Sequence, residues 1–339
     1  MERIDDECAV YWDSLHAQLA ARLAPLTLSL FRDLPSLQAR TIAALVDGGK
    51  RLRAAVVLAV CDALGGRLED ALPSAAAVEC VHAASLVHDD LVDGDRIRRD
   101  RPATWVVLGA RRAILLADVI FATALQRSAE LGRHEVATLA RGISMLAVGA
   151  YGEPLRPRDI EAGDTGALYE RTIRLKTGSL FAAAAELGAI AAGSKRGLRC
   201  AAAEFGRRIG EAYQIADDRS DVVVRAGPLT AEQTATLANL LAYFDGARKP
   251  PPSAKPVARA APNIIGFDAM RVAAAMEAEI DRRLELACDA LALFPPGPRL
   301  ALLRRIPRAI VHLAMAAAFC RGPMGSPWSR RPCAEAPTR

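Results

Sequence analysis

A chain of 339 residues with 52% hydrophobic and 24% charged side chains can bury a large core, which excludes a disordered polymer. Only 5% of the residues are aromatic, so that core must be built from small and aliphatic side chains, and the long alanine-rich runs favour helices over sheets. A net charge of +5 suits a small anionic ligand and gives no ground for nucleic-acid binding, which calls for a clustered basic face.

In chain order, apolar residues recur near a 3.6-residue period over residues 7–24, 36–46, 53–64, 70–92, 112–131, 134–150, 167–192, 196–222, 230–244, 267–293 and 298–320. Breakers separate these runs: Gly48-Gly49, Gly65-Gly66, Pro102, Gly109, the stretch 154–166, Gly193, Gly227-Pro228 and Pro295-Pro296. Alternating strand patterns with tight turn pairs are missing. The pattern predicts an all-α fold in one domain, residues 1–321. Residues 246–263, rich in proline and basic side chains, read as a solvated loop inside that domain, and 322–339 as a disordered tail.

The seven cysteines form no CxxC pair and no even framework, which speaks against structural zinc and disulfides and for a reducing compartment. The first seven residues are acidic where a secretory leader is basic and then apolar, and no stretch is long and apolar enough for a membrane span. A cytoplasmic location is expected.

The most unusual local feature is His88-Asp89-Asp90-Leu91-Val92-Asp93 at the end of the apolar run 75–87. On a helix Asp89 and Asp93 share a face, with Asp90 about 100° around. A second cluster, Asp217-Asp218-Arg219-Ser220-Asp221, also ends a helical run. Either alone is most simply a charged helix end. Carboxylates at a helix C-terminus oppose the macrodipole, however, and repeating that cost at the same spacing points to a shared task. Hard carboxylate oxygens suit Mg²⁺, which takes one or two carboxylates together with substrate phosphates. Cations complete the set. Lys50 and Arg53 follow a diglycine without P-loop spacing, Arg98 and Arg99 follow the first acidic cluster, and Lys176 lies in an apolar run where it needs an anionic partner. The residues together imply an apolar ligand with a diphosphate head.

At this point the chain resembles the trans-isoprenyl diphosphate synthases, or polyprenyl synthetases. GGKRLR, the stretch from Glu79 to Trp105 (ECVHAASLVHDDLVDGDRIRRDRPATW), LKTGSLFAAAAELGA and FGRRIGEAYQIADDRSD occur in the family's order. The DGDRIRRDRPATW segment is closest to geranylgeranyl-type enzymes. The resemblance implies an isoprenoid-synthase-type helical bundle around a central cavity, a homodimer, and condensation of isopentenyl diphosphate with an allylic prenyl diphosphate. It implies that Asp89, Asp90, Asp93, Asp217, Asp218 and Asp221 bind Mg²⁺, three ions in the family. Arg98 and Lys176 would grip the allylic diphosphate, with Thr177 and Gln214 beside the reacting carbon. Lys50, Arg53, His82 and Arg99 would cradle the second diphosphate, and His88 would be structural. The same scaffold also serves class I terpene cyclases and non-catalytic subunits of heteromeric synthases. The chain departs from the family after the second acidic cluster, where Arg225 is the nearby cation and Thr234 stands in place of a lysine. Small residues at Ser85 and Ala84, four and five positions before Asp89, predict a deep tunnel and a C20 or longer product.

Overall fold

The computed structural model describes residues 6–99, 101–153, 165–224, 240–241, 243–244 and 269–319, without the side chains of 37, 165–166, 221–224, 269 and 316–319. The expected loop 246–263, the tail, Arg225 and Thr234 lie outside the described residues, as does the Asp221 side chain. So does most of the helix expected at 230–244.

Helices make up nearly all of the described chain. They are α1 (Asp6–Leu30), α2 (Ser36–Asp47), α3 (Leu52–Ala63), α4 (Leu68–Val92), α5 (Thr104–Leu108), α6 (Ala110–Leu131), α7 (Arg133–Tyr151), α8 (Thr165–Thr172), α9 (Ser179–Ala191), α10 (Arg196–Val224), α11 (Ala269–Ala290) and α12 (Pro298–Phe319). The all-α expectation holds. Three local features differ from the sequence reading. Helix α1 runs through Pro25 to Leu30, because Leu23 and Thr27 on either side of the proline are buried and tertiary packing outweighs the lost hydrogen bond. The run 167–192 is not a uniform helix: a π-helical segment, Ile173–Gly178, joins α8 to α9. Two-residue strands β1 (Ile97–Arg98) and β2 (Arg101–Pro102) pair antiparallel, Ile97 opposite Pro102, too short to leave an alternating pattern.

The core is alanine-rich, as the composition requires. Helix α3 is buried nearly all round, and α9 packs among α3, α4, α7 and α10. Small side chains allow this close contact: a Cβ at Gly206 of α10 would collide with the carbonyl oxygen of Phe181 on α9. A second apolar cluster, including Tyr169, Ile215, Met276 and Ile280, ties α8 and α10 to α11. There the buried Arg283 pairs with Glu211 and Glu170. Helices α4 and α10 therefore stand on either side of α9, each carrying aspartates in its last turns.

Candidate active site

Helix α4 ends at Val92, and the Asp93 N–H bonds the Asp89 carbonyl at 2.8 Å, so the first acidic cluster keeps helical geometry through its last member. Asp90 turns inward and is 3% exposed. Its carboxylate takes the guanidinium of Arg98, with Nε at 2.6 Å from Oδ1. Asp89 lies on the open side. Burial raises its carboxyl pKa, Asp93 and Glu153 raise it further, and Lys176 opposes the shift. A charge-poor, crowded acidic group of this kind gains from a cation placed on it.

The π segment supplies Lys176 and Thr177 side by side, pointing in different directions. Lys176 donates to Glu153 Oε2. Burial alone would lower the lysine pKa, but Glu153, Asp89 and Asp93 hold it above the ordinary value. Thr177 instead faces α10: its Oγ1 donates to Gln214 Oε1 at 2.6 Å, and Gln214 Nε2 donates to Asp218 Oδ1 at 2.9 Å. Tyr169 donates to the other oxygen, Oδ2, at 2.7 Å. Two neighbouring residues thus link the acidic end of α4 to that of α10.

The basic residues gather between the same ends. Arg99, at φ 53 in the turn between β1 and β2, brings its guanidinium against the diglycine, where a Cβ on Gly49 would sit 3.1 Å from Nη2. Lys50 donates to the Leu313 carbonyl at 2.9 Å. Burial lowers its pKa and Arg99 does the same, while Asp217 raises it, so Lys50 stands between the second acidic cluster and Arg99. Arg53 lies 4.6 Å from the centre of the Phe181 ring. Its charge faces Glu79, which accepts the Ala54 N–H at 2.9 Å; burial raises the Glu79 pKa and Arg53 opposes that. His82 is held well below the ordinary imidazole pKa by burial, then by Arg53, Arg99 and Arg98, and is neutral near pH 7. His88 stands apart, with Nε2 3.6 Å from Asp118 and its ring 5.7 Å from that of Phe121.

Of the residues singled out from sequence, Lys50, Arg53, His82, Asp89, Asp90, Asp93, Arg98, Arg99, Lys176, Thr177, Gln214, Asp217 and Asp218 form this one constellation. Arg98 differs from expectation in having a protein partner, because Asp90 is buried beside it and needs a counter-charge. Glu153 and Tyr169 were not singled out, and Glu79 entered only as the first residue of the resembling stretch. Tyr169 sits inside an apolar helical run and Glu153 precedes a proline, so nothing in their spacing marks them.

Among the described residues no three carboxylate, imidazole or thiol groups converge to hold a metal by themselves. The donors at the two acidic helix ends are carboxylate oxygens, a set that suits a hard divalent cation.

The Polyprenyl synthetase family model matches residues 35–229. The short chain isoprenyl diphosphate synthase of Methanothermobacter thermautotrophicus is 39% identical over 179 residues, 52% of this chain and 55% of that protein. The chain spans about half the length of the first such curated relatives. The large subunit 1 of the heterodimeric geranylgeranyl pyrophosphate synthase of Arabidopsis thaliana is 32% identical, over 68% of this chain and 67% of that protein. A polyprenyl synthase from Caulobacter crescentus, crystallised with calcium and isoprenyl diphosphate, superposes with a TM-score of 0.70 at 28% identity, covering 88% of this chain and 97% of that one.

Proposed function

Because the chain belongs to the polyprenyl synthetase family, we propose that it is a trans-prenyltransferase, condensing isopentenyl diphosphate with an allylic diphosphate to give a C20 or longer prenyl diphosphate. The observation that carries this reading is the pair Lys176-Thr177, of which the first feels the charges of Asp89 and Asp93 and the second is linked through Gln214 to Asp218. Asp89, Asp90, Asp93, Asp217, Asp218 and Asp221 would hold Mg²⁺, three ions per site, as the resemblance implies. Two of them are oriented by protein partners, Asp90 by Arg98 and Asp218 by Gln214 and Tyr169. When bound, Mg²⁺ supplies Lewis-acid neutralisation of the diphosphate oxygens.

This chain's own residues do the rest. The Lys176 ammonium, charged throughout the neutral range, faces the leaving group as its bond to the allylic carbon breaks. The Thr177 and Gln214 dipoles lie beside the carbon that becomes cationic. Lys50, Arg53, His82 and Arg99 hold the second substrate so that its double bond meets that carbon, forming the new carbon–carbon bond. The proton it then loses passes to the released diphosphate, so no protein nucleophile is needed. The small side chain of Ala84, five positions before Asp89, is the sequence feature that supports a long product tail. The exposed apolar side chains Leu115 and Val119 of α6 support a homodimer. No helix among the described residues is long and apolar enough to cross a membrane, in keeping with action in the cytoplasm.

The test is product analysis. Full-length protein incubated with Mg²⁺, isopentenyl diphosphate and dimethylallyl, geranyl or farnesyl diphosphate should yield prenyl diphosphates of C20 or more, and Ala84→Phe should shorten them. Hydrocarbons without isopentenyl incorporation would replace this reading with a terpene cyclase. Turnover only with an added partner subunit would make the chain one half of a heteromeric synthase.

A further inference from the structure

Away from the aspartates, a groove of about 730 Å³ runs between α7, α9 and α10. Its charge is lopsided. Arg141 and Arg207 are neutralised by Glu186, Glu204 and Glu211. Arg133 opens α7, while Arg196 opens α10 with Arg199 one turn on. None of these three has an acidic partner among the described residues, and the Arg199 Nε is closed off from solvent without a hydrogen bond. Cations at helix N-termini oppose the macrodipole, and α10 has no acidic residue in its first turn to offset them. Helix α10 bears that cost at the groove, whereas the first turn of α7 carries Glu135 as well as Arg133.

We propose that this groove is a second anion site, in which Arg133, Arg196 and Arg199 bind a diphosphate group. Its volume is that of a small-ligand pocket, and guanidinium forks match phosphate oxygens in pairs. The floor of Ala137, Ala182 and Ala203 leaves the forks unobstructed. The groove continues past Arg141 over Gly142, Met145, Leu175 and Ala183, with Arg174 and Ser179 at its side, and a prenyl chain attached to the diphosphate would lie on those apolar residues. Along α10, Arg199 is about 27 Å from Asp217 at 1.5 Å per residue, so the two sites are separate.

Calorimetric titration of the full-length chain in EDTA tests the site, with inorganic diphosphate and with geranyl thiodiphosphate, which does not ionise. The double variant Arg196→Gln/Arg199→Gln should weaken binding of both probes at least 10-fold, with its circular dichroism and its condensation rate at saturating substrate unchanged. Arg133→Gln, on the other helix, should weaken it several-fold and guards against a fold defect in the first variant. Equal affinity for the two probes assigns the site to free diphosphate. Tighter binding of the thiodiphosphate, abolished by Met145→Gln, assigns it to a prenyl headgroup. Isotherms of both arginine variants that overlay the wild-type curve would overturn the proposal.

Discussion

Asp218 has both carboxylate oxygens engaged, Oδ1 by Gln214 and Oδ2 by Tyr169, and Tyr169 is only 4% exposed among Tyr243 and Phe244. Removing the phenol leaves a half-buried carboxylate short of one charge-assisted bond, a loss of about 1.5–3 kcal/mol. It also frees that side chain to swing at the edge of the acidic cluster. Tyr169→Phe should lower stability by roughly that amount in a denaturant titration and raise the Mg²⁺ concentration for half-maximal activity about 10-fold, the usual scale for a group that orients a metal-site carboxylate. An unchanged Mg²⁺ requirement would reduce Tyr169 to a packing residue. The aspartates were legible in sequence because two acidic helix ends defy the macrodipole, and a feature that costs free energy is visible without coordinates. Tyr169 defies nothing. An aromatic in a helical run looks like core, and part of it is core, so its hydroxyl only acquires meaning once α8 is seen against α10. Glu153 was hidden in the same way, since it is explained by a cation, Lys176, that is close in space and remote in sequence.

The helices themselves were legible from periodicity, and most ends fell within a few residues of the observed ones. Periodicity did not reveal the π segment Ile173–Gly178, because inserting one residue per turn leaves the apolar pattern almost intact over six positions. Yet that segment carries Lys176 and Thr177, and its position depends on the neighbouring α7. Gly149 of α7 lies directly against it: a Cβ there would come within 2.6 Å of the Lys176 backbone nitrogen and 2.8 Å of Leu175 Cβ. Neither atom can rotate away, so Gly149→Ala must push α7 and the π segment apart. The expected cost is about 1–3 kcal/mol of overpacking. Because the displaced atoms hold the Lys176 side chain, turnover should fall about 10-fold as well. Gly197→Ala, in a helical position with nothing within 4 Å, is the control and should be neutral or slightly stabilising. Thermal denaturation and steady-state rates on the two variants separate local displacement from a general intolerance of alanine.

At the scale of the whole molecule, the core accounts for most of the large apolar side chains, but α6 and α7 are among the elements that keep several in water. Ile114, Leu115 and Val119 project from α6, and Val148 and Tyr151 from α7, with Leu115 54% and Tyr151 95% exposed. Leu115 and Val119 are four apart and share a helix face, and α6 packs beside α7, so these side chains belong to neighbouring elements. A two-fold dimer buries the same patch on both copies, so a single substitution acts twice across the interface. Leu115→Glu/Val119→Glu places four carboxylates in that interface, unpaired and desolvated, a penalty that no compensating contact offsets. Sedimentation velocity should therefore find the wild-type chain at twice its single-chain mass and the double variant at the single-chain mass, with unchanged helical circular dichroism since both positions are on the surface of the folded chain. A wild-type protein sedimenting as a single chain at micromolar concentration would rule out the dimer and leave the α6 face unexplained. A double variant that still sediments as a dimer would place the interface on another face.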